Sequence, residues 1–362
     1  MKLSEIKILH ITNNLGYGGV QKIIYQLCKL TKSNFEKIKV ASAGGIYVEK
    51  LLNLDVEHFL IPDLSTKNFK EVVKIIKILN TIVKSNSINV IHCHHRMAVF
   101  YAKIISKFQN IKIIYNNHTI YSDRPKSTHF ILKNVNIIAD GVQAKNNVVN
   151  FFKISQNKIT TINNAVDQYD GIYKEINEIK EKKSNGDFIV MNASRLHPQK
   201  GINYFIDAAE ILIKKNYNIS FFIVGDGPLK SEMVNLVNSK KLNQDITFLG
   251  FRQDIKNVIS QSDVLVLTSV YEGLPLTPME AFSVKKPVIG TDIDGTREVI
   301  TNEYNGFLAD NMNPDSIANK IEKLYLDKDK LVILGQNAYS TYLKKFSLDN
   351  FFEAYLDYYS KI

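Results

Sequence analysis

Short runs of aliphatic and β-branched residues alternate with longer amphipathic stretches along the whole chain. In the first half the runs are IKILHIT, KIKVASAG, NVIHCHH, IKIIYNNH, NVNIIAD and KITTINNAV. Continuously apolar runs of this length predict strands covered on both faces, as in a parallel sheet. Between them, segments such as NFKEVVKIIKILNTIVKS carry apolar residues at helical spacing with lysines on the other side. A polar, charged stretch, GIYKEINEIKEKKSNGD, breaks the pattern after residue 170 and ends in a turn signal. The alternation then resumes with FIVMNASR, ISFFIVGDG, ITFLGF, DVLVLTS and KPVIGTD. Two successive βα arrays predict an α/β protein with two doubly wound, Rossmann-like domains facing across a cleft, the first over 1–170. Ligands of such sheets bind outside the carboxyl ends of the strands, so the residues leaving each strand are where chemistry is expected.

Composition narrows this picture. A chain of 362 residues, 45% hydrophobic and 23% charged, can bury two ordinary cores. No apolar run is long enough to span a bilayer, and the first residues, MKLSEIKILHITNN, lack the features of a signal peptide. A cytoplasmic protein is expected. Two cysteines, Cys28 and Cys93, give no disulfide framework. Residues 1–170 hold 23 Lys and Arg against 11 Asp and Glu, and the remainder hold 23 against 25. A basic first half suits an anionic partner, or reflects general lysine usage.

The second array has the more informative strand ends. NASRLHPQKG brings Arg195 and Lys200, VGDGPL gives Gly225, and LGFRQD gives Gly250, Phe251 and Arg252. YEGLPLTPMEAF sets Glu272 and Glu280 around Gly273, Leu274, Pro275, Leu276 and Thr277. The stretch from Thr277 to Glu280 has capping-box spacing with proline at the first helical position, so Glu280 has a structural reading as a cap. It also has a ligand reading: a helix N-terminus attracts phosphate, and nearby carboxylates accept from sugar hydroxyls. Two cations beside a helix start on one sheet edge can neutralise a diphosphate.

Taken in order, SRLHPQKG, VGDGP, LGF, EGLPLTPMEAF and PVIGTDIDGTREVI resemble the C-terminal domain of the retaining glycosyltransferases of the GT-B fold, family 4. The resemblance implies a donor domain over 171–345 and a C-terminal helix, 346–362, that crosses back to the first domain. It implies that Arg195 and Lys200 meet the donor diphosphate, Glu272 the transferred sugar and Glu280 the ribose. Backbone from Leu274 to Thr277 would face phosphate and sugar. The first half resembles the acceptor domain less closely. NNLGYGGVQK looks like the Gly-rich loop, with Gly16, Gly18 and Gly19 approaching the donor, although Gln21 stands where the family commonly has Glu. YNNHTIY places His118 like the family histidine that contacts the transferred sugar. Ala165 and Asp294 replace usual glycines.

Two metal readings compete with this. Asp292-Ile293-Asp294 spells a metal-binding Asp-x-Asp, but in the loop where the family binds no metal. His92, Cys93, His94 and His95 have zinc-competent side chains, yet they are gathered on one strand end rather than in two separated pairs. They read equally as acceptor-facing or packed imidazoles. No metal and no cofactor are expected, the nucleotide sugar being a co-substrate, UDP-linked by expectation. The reading is a retaining, metal-independent hexosyl- or N-acetylhexosaminyltransferase acting on a glycan or lipid-linked acceptor in cell-surface polysaccharide synthesis, with peripheral contact to an anionic membrane and no nucleic acid. A sugar-nucleotide epimerase on the same fold, or a non-catalytic nucleotide-binding adaptor, are the alternatives.

Overall fold

The computed structural model describes residues 2–16 and 18–362; Tyr17, inside the Gly-rich loop, lies outside the described residues. The chain forms two compact units. The first, residues 1–164 and 349–362, carries β1 (Lys7–Ile11), β2 (Lys37–Ser42), β3 (Glu57–Leu60), β4 (Val90–Cys93), β5 (Lys112–Asn117), β6 (Asn136–Ala139) and β7 (Ile159–Thr161). The second, residues 165–348, carries β8 (Phe188–Ala193), β9 (Ile219–Val224), β10 (Ile246–Gly250), β11 (Val264–Leu267), β12 (Val288–Thr291) and β13 (Gly306–Ala309).

Both sheets are wholly parallel. Their orders are β3-β2-β1-β4-β5-β6-β7 and β10-β9-β8-β11-β12-β13, so each reverses direction beside its own first strand. The switch points fall between β1 and β4 and between β8 and β11, which is where a doubly wound sheet opens a crevice for ligand. Three of the four strands there are buried throughout, at all four positions of β4 and β11 and all six of β8, and β1 is buried from Ile8 to Ile11. Their apolar runs therefore lack alternation, as covering on both faces requires.

Eleven strands coincide with the apolar runs in the sequence. The other two, β3 and β13, are four-residue strands at sheet edges. The units divide at 164/165 rather than after 170, because Val166 N donates to Phe346 O at 3.0 Å and Lys256 reaches Asp167 at 2.5 Å, both within the second unit. The polar stretch 171–187 is not a free linker. It contains a helix, Asn177–Ser184, whose Ile179 is fully buried in the second unit's core.

Helix Leu348–Ser360 belongs to the first unit from Asp349 on. Phe351, Tyr355, Tyr358 and Tyr359 lie on one helical face and are buried there. Tyr359 meets Phe35 edge-on with ring centroids 5.0 Å apart. The helix Phe69–Ser85 likewise gives its apolar stripe, Ile75, Leu79, Ile82 and Val83, to the core of its own unit. Lys70, Lys74, Lys77 and Lys84 stay exposed on it.

Candidate active site

In the second unit, loops from four strands are brought close enough that several positions admit only glycine. A Cβ on Gly225 would lie 1.9 Å from Ser194 O, and one on Gly227 would lie 2.3 Å from Leu196 O. The segment carrying Arg195 is thereby pressed against the turn after β9, and Leu196 N donates to Asp226 O at 3.0 Å. On the other side, a Cβ on Gly295 would lie 2.0 Å from Gly273 O, so the short helix Asp294–Arg297 braces the loop after β11. Gly201, at φ +56°, starts the helix Ile202–Ile213 while touching Thr268 O. Close backbone approach is what fixes these side chains.

Within this frame Lys200 and Glu272 form an ion pair at the switch point. Glu272 is 8% exposed, and its Oε1 also accepts from Ser269 Oγ at 2.6 Å. Gln199 spans the same loop, donating to Tyr271 O at 3.0 Å while its own carbonyl accepts from Val270 N at 2.8 Å. Arg195 is exposed, and no ion pair to it occurs among the described residues. Arg252 is committed elsewhere, gripping Asp254 through two nitrogens at 2.9 and 2.8 Å. One cation is thus held beside a carboxylate, and a second faces solvent.

The helix after β11 starts earlier than the capping-box spacing predicts. It runs Leu276–Ser283 with Pro275 at the N-cap and no side-chain cap. Thr277 and Pro278 are already inside the first turn, so the capping box does not form. Pro275 holds the extended backbone that precedes the helix, and Pro278 is tolerated because a first-turn amide has no acceptor within the helix. Glu280 lies one turn further in, at 9% exposure. Phe251 is exposed beside Gly250, which adopts φ +67°.

In the first unit, the Gly-rich loop is braced from β2. Leu15 N donates to Gly44 O at 2.8 Å, and a Cβ on Gly45 would lie 2.2 Å from the Leu15 carbonyl carbon. Gly16 N and the Gln21 side chain both donate to Asn14 Oδ1, each at 3.1 Å. Gln21 therefore closes the loop onto itself. Gly18 precedes the helix Gly19–Thr31 as its N-cap.

His118, at the end of β5, is tied on both ring nitrogens. Its Nδ1 lies 2.9 Å from Asp140 Oδ2 and its Nε2 lies 3.0 Å from His94 Nδ1. His94 continues to His10, Nε2 to Nδ1, at 3.0 Å. His92 pairs with the Tyr359 hydroxyl at 2.7 Å. Burial lowers His10 to about 3 and drives His92 and His94 well below the ordinary histidine range, with neighbouring rings adding to the effect. Those three rings are neutral at physiological pH.

Nitrogens of His10, His92 and His94 lie within 4.8 Å of one another, which is the spacing of a candidate metal cluster. Four of their six nitrogens are engaged by a neighbouring ring or by Tyr359, while His10 Nε2 and His92 Nε2 are buried without a hydrogen-bond partner among the described residues. The Asp-x-Asp carboxylates meet the guanidinium of Arg297, at 2.5 Å from Asp292 and 3.4 Å from Asp294. That cation holds the Asp292 carboxyl below its usual range. The participants that sequence reasoning passed over are Ser269, Gln199, Asn116, Asp140 and Asn164. Asp140 does end its apolar run, the one signal that marked it.

Fold and strand-end chemistry together define a nucleotide-binding protein of two Rossmann-like domains. Residues 17–168 match the family model for Glycosyltransferase Family 4, and residues 174–341 match that for Glycosyl transferases group 1. The chain belongs to these GT-B glycosyltransferases. It is 28% identical to UDP-Gal:alpha-D-GlcNAc-diphosphoundecaprenol alpha-1,3-galactosyltransferase of Escherichia coli, an alignment that covers 98% of this chain and 97% of that protein. Among solved structures, a Rickettsia africae glycosyltransferase superposes with a TM-score of 0.87 at 22% identity, covering 99% of this chain and 98% of that one. Anabaena HepE in complex with UDP gives 0.86 at 20% identity, covering 99% and 100%.

Proposed function

We propose that this glycosyltransferase moves a hexosyl or N-acetylhexosaminyl group from a UDP-sugar to a lipid-linked or glycan acceptor, with retention and without a metal ion. The observation that carries the reading is the grouping of Arg195, Lys200 and Glu272 at the β8–β11 switch point beside the start of helix Leu276–Ser283. As the sugar–phosphate bond breaks, negative charge grows on the leaving diphosphate. Two cations and the amides of a helix start supply a fixed field for that charge. Lys200 would then exchange Glu272 for phosphate, which frees the Glu272 carboxylate to accept from sugar hydroxyls. Glu280 is assigned to the ribose and His118 to the transferred sugar.

The E. coli relative, matched along nearly its full length, is named for UDP-galactose and a diphosphoundecaprenol-linked acceptor. Chemistry of that kind suits the basic surface of helix Phe69–Ser85. No helix among the described residues is long and apolar enough to cross a membrane, and this helix's apolar stripe is already covered. Contact with a bilayer would therefore be electrostatic, through lysines near an anionic leaflet, and would weaken with salt.

The buried His118–Asp140 pair favours one other mechanism, an inverting displacement with His118 as base held by a carboxylate. Incubation with UDP-galactose, UDP-glucose and UDP-GlcNAc and a diphospho-lipid acceptor, with EDTA present, tests both. The anomeric configuration of the product is read by NMR. An α-linked product in EDTA is expected; a β-linked product selects the displacement, and activity that needs added Mn²⁺ or Mg²⁺ refutes metal independence.

A further inference from the structure

Asp140 leaves the end of β6 at 2% exposure, and three donors converge on it. Asn116 Nδ2 meets Oδ1 at 2.8 Å, while Asn164 Nδ2 and His118 Nδ1 each meet Oδ2 at 2.9 Å. A carboxylate accepts and does not donate, so the His118 nitrogen facing it carries the hydrogen. In that Nδ1–H tautomer the other nitrogen, Nε2, is a lone pair. His94 Nδ1, 3.0 Å away, donates to it, and His94 Nε2 in turn accepts from His10 Nδ1 at 3.0 Å. The row ends on His10 Nε2, which is buried with no partner among the described residues. The whole row thus has one direction, set at Asp140.

The brace for this carboxylate comes from the last helix. Asn116 Nδ2 donates to Asp140 Oδ1 and also lies 3.1 Å from both ring nitrogens of His118, so the amide oxygen is left as an acceptor, and the Tyr355 hydroxyl donates to that oxygen at 2.8 Å. Tyr355 is buried, and with Asn116 fixed from that side the amide cannot turn over without breaking two bonds.

We propose that Asp140 is the positioning residue of His118, braced by Asn116 and Tyr355. It locks the Nδ1–H tautomer, so that Nε2 serves as a hydrogen-bond acceptor: from His94 in this structure, and from a hydroxyl of the transferred sugar during turnover. The last clause rests on the sugar contact proposed for His118; the tautomer assignment does not.

Imidazole tautomers can be read directly by long-range ¹H–¹⁵N NMR on the full chain labelled at histidine, with His118→Gln assigning the signal. Wild type should show His118 as the neutral Nδ1–H form, and Asp140→Asn should move it to Nε2–H. Kinetically, Asp140→Asn should lower kcat roughly 10–100-fold, with Tyr355→Phe at the lower end and little change in the donor KM. That split is expected when a reacting geometry is loosened while the groups that bind the donor stay in place. A merely structural role would lower the melting temperature while leaving the tautomer and the kcat-to-KM split unmoved. An Nε2–H ring in wild type overturns the proposal, and that measurement needs no variant to fold beyond the assignment. Should His118→Gln turn over like wild type while Asp140→Asn still shifts the tautomer, the sugar-contact role fails and the positioning by Asp140 stands.

Discussion

Lys200 and Arg195 are assigned to the same diphosphate but sit in different surroundings, and that difference is measurable. Lys200 neutralises a carboxylate that is 8% exposed, whereas Arg195 is exposed and has no ion-pair partner among the described residues. Removing Lys200 leaves Glu272 with only the Ser269 hydroxyl and a long contact to Gln199. Lys200→Ala should therefore destabilise the fold by about 1–3 kcal/mol, the cost of a buried group that loses its charged partner. Arg195→Ala should stay within about 0.5 kcal/mol, as exposed substitutions do. Both should weaken UDP in titration calorimetry, while Glu272→Gln should spare UDP and damage turnover. Equal melting curves for the two cation variants would show that Lys200 is not what neutralises Glu272.

At the scale of elements, the helix Leu276–Ser283 shows what a motif can and cannot specify. Thr277-Pro278-Met279-Glu280 has the spacing of a cap, but the preceding Pro275 is equally able to begin a helix, and the chain starts there. Local spacing did not choose between two prolines, and in the folded chain the loop before this helix packs closely against Gly295. Thr277→Ala should consequently cost less than the ~1 kcal/mol of a lost cap. Gly295→Ala should cost more, since its Cβ meets backbone that cannot yield, and it should weaken UDP-sugar binding by displacing the Glu272 loop. Chemical denaturation of both variants checks the order. The same lesson holds for strands. The long apolar runs were legible because burial on both faces leaves no alternation to confuse with a helix, and β3 and β13 were missed because four residues at an edge carry little pattern. Arg195, Lys200 and Glu272 were legible as residues that follow strand ends, and Glu280 by its spacing from Glu272 at the helix that follows. Asp140, Asn116 and Asn164 were not, because their significance lies in meeting one another from separate strand ends.

Seven of the eight histidines lie in the first unit, with His197 alone in the second, so acid should act on the two units unequally. The folded rings of His10, His92 and His94 resist protonation because they are buried, and burial also lowers His58 and His95. Above the unfolded value of 6.5 both states are neutral and nothing is gained or lost. Below it the unfolded chain takes up protons that the fold refuses, and stability falls by about 1.4 kcal/mol per pH unit for each such ring. For His10 this continues down to about 3. Between pH 7 and 5, above the carboxylate range, calorimetry should show a transition of the first unit moving to lower temperature while that of the second holds. Two transitions that shift together would contradict this.

The discontinuity of the first unit has a consequence for how the molecule comes into being. Residues 165–348 form one uninterrupted segment, whereas the seven-stranded unit lacks Tyr355 and Tyr359 until residues 349–362 exist. On the ribosome the earlier-made sheet must wait, its Asn116 and His92 without their hydroxyl partners, while the later-made one completes itself. Order of synthesis and order of maturation should thus be reversed, against the usual habit of domains folding from the N-terminus. A fragment of residues 165–348 should give a cooperative melt and bind UDP by itself. Residues 1–164 alone should be loosely packed, and should gain protection from hydrogen exchange when a peptide of residues 347–362 is added.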